Sequence, residues 1–456
     1  MAGADTLSPP IECRADLIEV LARGAKPRER WRIGTEHEKV VFHTGPLRPV
    51  PYEGPRGVRA LLEAMIAKAG WTPVWDKEAI IGLKGPPGEG AISLEPGGQF
   101  ELSGAALETL HETAAETARH LTLVKALGSA LDIHFLGLGV TPLWAVKEIP
   151  AMPKSRYGIM TPYMAKVDTL GTSMMYRSAT IQANLDFGDE ADMVKKLRVG
   201  LALQPIATAI FANSPFIDGR DSGYLSFRSH IWQHTDRQRT GMLPFAFEPG
   251  MGFERYVDHA LDVPMYFVLR DGRYINTAGE SFRAFLDGRL PQLPGERPTV
   301  ADWENHLSTL FPEVRLKQFL EMRGADMGSA EAITALPAFW TGLLYDRSAL
   351  DAAWDLVKDW TAEERQGLRD GVPRTALNTP FRQGTAREVA REALAIATAG
   401  LTSRARCDGH GRDETIHLAL PQRIVDSGRT QAEHWLELYR GEWGGELSRI
   451  FEAAAL

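Results

Sequence analysis

The chain has 456 residues, 44% hydrophobic and 24% charged, with a formal net charge of −8 and a pI near 5.9. That composition builds one large core or two ordinary ones and excludes disorder. The acidity argues against nucleic acid and anionic membrane surfaces as partners.

Two cysteines, Cys13 and Cys407, cannot make a disulfide framework and have no metal-type spacing. The first ten residues lack a basic start and an apolar core, so neither a secretory signal nor a transit peptide is expected. A cytoplasmic location follows as the expectation. The longest apolar stretch, Val199 to Ala212, is shorter than the ~20 residues of a membrane span and contains Pro205, so it reads as a kinked buried helix.

Asp16 to Ala22 reads as a short amphipathic helix. Trp31 to Phe42 follows as a β-rich run whose alternation sets Glu36 and Glu38 on one face with Val40 and Phe42. Two buried anions either rise in pKa or attract cations, and paired hard oxygens suit magnesium. A solvated edge strand is the ordinary alternative. Gly57 to Ala69 has helical spacing and ends at Gly70 as a C-terminal cap should.

Glu78 to Leu83 and Ala91 to Leu94 read as strands. Leu94 to Ser103 then turns through Pro96-Gly97-Gly98, with Gln99, Glu101 and Ser103 on one face and Glu95 at the mouth of the turn. A tight hairpin there brings Glu95 and Glu101 to the same end of a sheet as Glu36 and Glu38; a surface turn with incidental acids is the alternative. Glu108 to Ala130 reads as a long helix. His111-Glu112 lacks a second histidine at i+4 and His120 is off-register, so these read as helix surface. Ile133 to Val140 reads as a buried strand.

Ser178 to Phe187 alternates Thr180, Gln182, Asn184 and Asp186 against Ile181, Ala183, Leu185 and Phe187. Such a polar face suits nucleotide or metal-water contacts, or a cross-strand hydrogen-bond ladder. Tyr224 to Phe247 gathers Arg228, His230, Trp232, His234, Arg237 and Arg239 in a loop able to clamp phosphate or carboxylate, with ordinary surface contacts as the alternative for any one of them. Val314 to Gly324 reads as one strand with Arg315, Lys317, Phe319, Glu321 and Arg323 on one face. That face is either salt-bridged or a metal carboxylate beside a substrate-binding guanidinium. From about residue 335 onward the pattern is helical, and no Walker-type phosphate loop occurs.

Gly34 to Lys39, Ile92 to Gly104, Ile181 to Phe187, Leu261 to Phe267, Phe311 to Lys317 and Leu320 to Asp326 closely resemble the plant and proteobacterial type of glutamate–cysteine ligase. The resemblance runs from about Trp31 to Phe451. It implies an α+β fold, a glutamine-synthetase-like curved antiparallel β-sheet surrounded by α-helices, acting as a single catalytic domain over residues 1–456. It implies an ATP-dependent ligase joining L-glutamate to L-cysteine, as a monomer or homodimer, or a relative joining glutamate to another amine.

On the same resemblance Glu36, Glu38, Glu95, Glu101 and Glu321 are metal-ligating carboxylates for Mg2+. Gln182 and Asn184 lie near metal or nucleotide, Arg323 holds the glutamate substrate, and Arg228 contacts phosphate or carboxylate. Plant members carry cysteines that pair into regulatory disulfides. The matching positions here are Ala114, Thr277, Gln292 and Thr334, which implies activity insensitive to thiol state.

Overall fold

The chain, as a computed structural model, is described over residues 8–456. Its centre is a ten-stranded sheet whose main path runs through eight strands. These are β1 (Ile33–His43), β2 (Thr72–Asp76), β3 (Ala79–Lys84), β4 (Ala91–Leu94), β5 (Phe100–Ser103), β6 (Thr180–Leu185), β7 (Val314–Leu316) and β8 (Leu320–Asp326). The order is β7-β8-β6-β1-β5-β4-β3-β2, antiparallel at every step. Two short strands, Arg48–Pro49 and His134–Leu136, pair with the far end of β1. Register shifts after Val74 and after Met322 bend the sheet.

Register decides what the sheet presents, because directly opposed residues share a face. Arg315 opposes Glu321, which opposes Asn184; Gln182 opposes Glu36, which opposes Ser103; Glu38 opposes Glu101, which opposes Ser93. One face is therefore a continuous polar floor. The other carries buried Ile92, Phe100, Leu102, Ile181, Ala183, Leu185, Leu320 and Met322. Burying each such side chain stabilises by roughly 1.5–3 kcal/mol.

Helices cover that apolar face. They include α1 (Leu110–Ser129), α3 (Glu190–Ile210) and α5 (Ala330–Leu344). Helix α3 holds Pro205 within a buried run, as the apolar stretch suggested. Helix α5 is buried on all sides because α7 (Ala386–Arg404) backs it. The two approach so closely that a Cβ on Gly400 would lie 1.9 Å from the Gly342 carbonyl oxygen. Helices α2 (Tyr157–Val167), α4 (Phe227–Gln233) and α6 (Ala362–Thr375) lie elsewhere in the chain, and the first two contribute to the polar side.

Several expectations change. Val314 to Gly324 is a hairpin, β7 and β8, closed by Lys317 N–H donating to Phe319 O at 2.9 Å. Ile133 to Val140 shortens to His134–Leu136. Helix begins at Ala330, a few residues before the expected position. His120 is not on the helix surface but buried, its ring 5.4 Å from that of His37. Lys39 is fully buried too; its Nζ lies 3.0 Å from His37 Nδ1, and burial lowers its pKa to about 7. Cys13 and Cys407 are free and exposed. No helix among the described residues is long and apolar enough to cross a membrane.

Candidate functional site

The polar floor lies in a cavity of about 470 Å3. Strand alternation supplies Glu36 and Glu38 from β1, Glu101 and Ser103 from β5, Thr180 and Gln182 from β6, and Glu321 and Arg323 from β8. Glu95 arrives through a tight loop. Its N–H donates to Gln99 O at 3.1 Å, and Gly98 N–H donates to Glu95 O at 2.8 Å. Gly98 sits at φ +83°, the left-handed last position of a three-residue hairpin loop. Gln99 locks the loop, accepting from Gly97 N–H at 2.9 Å and donating to Ser178 O at 2.7 Å.

The floor has an acidic and a cationic end. Glu36 accepts from Asn184 Nδ2 at 2.8 Å, Glu38 from Thr180 N–H at 2.9 Å, and Glu101 from Ser103 Oγ at 3.2 Å. None of the acids Glu36, Glu38, Glu95 and Glu101 is ion-paired among the described residues. Burial, then Glu95, pushes Glu38 up to about 8 against the pull of Arg228 and Arg323. Burial, then Glu36, Glu95 and Glu38, holds Glu101 well above the usual carboxylate range. Crowded anions without cations are what a bound cation would relieve.

Glu321 is different. Arg315 grips it twice, at 2.5 and 2.8 Å, Arg323 Nη1 reaches it at 2.8 Å and Lys317 at 3.4 Å. Burial pushes its pKa up, but Arg315, Lys317 and Arg323 outweigh that and hold it well below normal. The salt-bridged alternative for this strand face is the arrangement found. Arg323 also donates through Nη1 to Gln182 Oε1 at 2.7 Å. Arg228, on α4, donates to Arg323 O at 3.0 Å and keeps its Nε buried without a partner. Asp326 lies nearby, held by Asn213 N–H, Ser214 Oγ and Ser226 Oγ at 2.6–2.8 Å.

Of the arginine-rich segment, only Arg228 and Trp232 line the cavity. Arg239 is buried in a pair with Asp236 at 2.7 Å, and His230 stacks on Tyr224 with ring centres 4.2 Å apart. Asp186, one residue past the end of β6, pairs instead with Lys26 at 2.8 Å.

Sequence reading missed the opposite wall. Lys154, which bonds Ser93 Oγ at 3.2 Å and Leu94 O at 3.3 Å, lies beside Arg156 and Tyr157, both of which line the cavity. Burial, then Arg156, lowers the Lys154 pKa to about 8. Arg156 Nε is buried without a partner. The available signal was Lys-Ser-Arg-Tyr between Pro153 and a helix, too short to be distinctive.

No three Asp, Glu, His or Cys residues among the described residues already converge as a metal cage. Magnesium does not require one, since it keeps several waters and takes one or two carboxylates with substrate phosphates. The all-oxygen donors and raised acid pKa values fit such an ion.

Comparison with known proteins places the chain in a family. Glutamate-cysteine ligase family 2 matches residues 32–453. The chain is 54% identical over 439 residues to a chloroplastic glutamate–cysteine ligase of Nicotiana tabacum, covering 96% of this chain and 82% of that one. It is 52% identical over 459 residues to the chloroplastic glutamate–cysteine ligase B of Oryza sativa subsp. japonica, covering 99% and 90%. The crystal structure of glutamate–cysteine ligase from Francisella tularensis in complex with AMP has the same fold, with a TM-score of 0.55 at 12% identity, covering 93% of this chain and 88% of that one.

The expected cytoplasmic location is corrected by these relatives, whose names point to the plastid. By the extent and identity of these matches, the chain belongs to glutamate–cysteine ligase family 2.

Proposed function

We propose that this chain uses ATP to join the γ-carboxylate of L-glutamate to the amine of L-cysteine, giving γ-glutamylcysteine, the first step of glutathione biosynthesis. The observation that carries the reading is one cavity with four unpaired carboxylates at one end and arginines at the other. A carboxylate is a poor acyl donor, so its oxygen first attacks the terminal phosphorus of ATP and ADP leaves. The cysteine amine then attacks the acyl carbon of γ-glutamyl phosphate, inorganic phosphate departs with the C–O bond electrons, and the amine loses a proton.

Glu36, Glu38, Glu95 and Glu101 are the residues that would hold Mg2+. When bound, the metal supplies charge neutralisation for the phosphate oxygens of ATP. Asn184 orients Glu36 through its amide, and Gln182 does the same for Arg323. Arg323 holds a carboxylate of the glutamate substrate, and Arg228 stabilises the transferring phosphoryl group. Arg156 holds the nucleotide phosphates from the other wall, while Lys154 behind it ties the segment to Ser93 and Leu94. Glu321, implied by the resemblance as a fifth metal ligand, already meets three cations, and we assign it to holding Arg315 and Arg323 over the floor. Met160, Met174, Met175, Trp232 and Phe311 line the same cavity and exclude water from the acyl phosphate. We read the whole chain as one catalytic unit, its C-terminal helices backing the sheet.

An isotope experiment tests the acyl phosphate. With glutamate carrying 18O in its γ-carboxylate, turnover with cysteine and ATP should deliver one 18O into the released phosphate. Phosphate free of label would overturn the proposed route.

A further inference from the structure

Asp76 ends β2, the edge strand of the sheet farthest along from the arginines, and does not line the cavity. Its carboxylate nonetheless closes on the segment that does. Oδ2 accepts from Ser155 N–H at 2.6 Å and Oδ1 accepts from Ser155 Oγ at 2.8 Å. Both oxygens are thus committed to one residue. Ser155 lies between Lys154 and Arg156. The rest of the segment is tied to the Glu95 loop, with Met152 N–H donating to Pro96 O at 3.0 Å and Tyr157 OH to Leu94 O at 2.7 Å.

We infer that Asp76 is a positioning residue for substrate binding: through Ser155 it fixes the segment whose Arg156 holds the ATP phosphates. The inference rests on the proposed role of that wall. A long cationic side chain loses rotamer freedom when it grips a phosphate, and holding its backbone beforehand reduces that loss. A carboxylate acting on an N–H and an O–H of one residue restrains both position and rotation. The turn that follows is tight, since Lys77 sits at φ +55° and Asp76 pairs with Ala79, so the carboxylate is delivered from a rigid hairpin.

The test is steady-state kinetics of the full chain with each substrate varied in turn. Asp76→Ala should raise the KM for ATP about tenfold, with the KM values for glutamate and cysteine within twofold of the parent. Ser155→Ala, which removes only the Oγ bond, should raise the KM for ATP about threefold. In an Arg156→Ala background, Asp76→Ala should add less than twofold. A residue important only for folding would lower the active fraction, leave all three KM values alone and act equally in that background; either pattern overturns the inference. If Arg156→Ala by itself leaves the KM for ATP unchanged, the phosphate-holding wall is wrong and the inference falls with it. If that variant is impaired and Asp76→Ala is not, only the role of Asp76 is lost.

Discussion

Glu38 and Glu101 are buried acids that make no salt bridge among the described residues and whose pKa values burial raises despite nearby cations, and that cost to the fold is the sign of a site. Glu38→Gln and Glu101→Gln keep side-chain shape while removing charge. Each should lower kcat by on the order of 10²-fold or more, the loss of a few kcal/mol at the transition state, while the metal-free melting temperature stays level or rises. A falling melting temperature with normal activity would make these acids structural. Arg323→Ala should raise the KM for glutamate at least tenfold, and Arg323→Lys should not restore it, because a planar fork is required. An unchanged KM would leave Arg323 as the partner of Glu321 alone. At this scale alternation made Glu36, Glu38 and Glu101 legible, since a strand with one apolar face dictates where its acids point. Lys154 and Arg156 were illegible, because their place depends on Asp76 and on the Pro96 loop, contacts far away in sequence.

The elements that deliver these side chains are strands and tight loops, and the Glu95 loop is the least forgiving. A Cβ on Gly97 would stand 2.2 Å from the Tyr176 carbonyl oxygen. Gly97→Ala should therefore displace the loop, destabilise by about 1–3 kcal/mol, and reduce kcat beyond what the lost active fraction explains. Normal kcat per folded molecule would show that the position of Glu95 is unimportant. The pattern of strands around the floor was readable from residue type, including the shared face of Gln182 and Asn184. The β7–β8 hairpin was not, because its turn at Lys317-Gln318-Phe319 contains neither Gly nor Pro and its alternation continues as though unbroken. Arg315 opposing Glu321 is a consequence of that fold-back, and it explains why Glu321 meets cations rather than standing with the other acids.

For the whole molecule, one apolar core runs from Ile11 to Ala454 and ties the C-terminal helices to the sheet that carries the site. Acid should loosen it through buried histidines. His306 is buried against Phe282 and Trp303, its Nε2 is 2.8 Å from Ala260 O, and burial lowers its pKa to about 4. Unfolded histidine takes a proton below about pH 6.5, whereas the folded one refuses it until about 4. Stability from this group is therefore complete above pH 6.5 and declines as pH falls towards 4, at about 1 kcal/mol per pH unit. His306→Gln should flatten that decline by about one proton in denaturant titrations between pH 6 and 5; an unchanged slope would refute it. Family membership was readable from motifs, but the compartment was not, because a low cysteine count fits any reducing space. The central claim is ligation of glutamate to cysteine at the expense of ATP, and the direct measurement is ADP release by the purified chain over a panel of amines. ADP and γ-glutamylcysteine are expected in equal amounts only when glutamate, cysteine, ATP and magnesium are all present. Equal ADP release with cysteine omitted, or faster ligation to another amine, would contradict that claim.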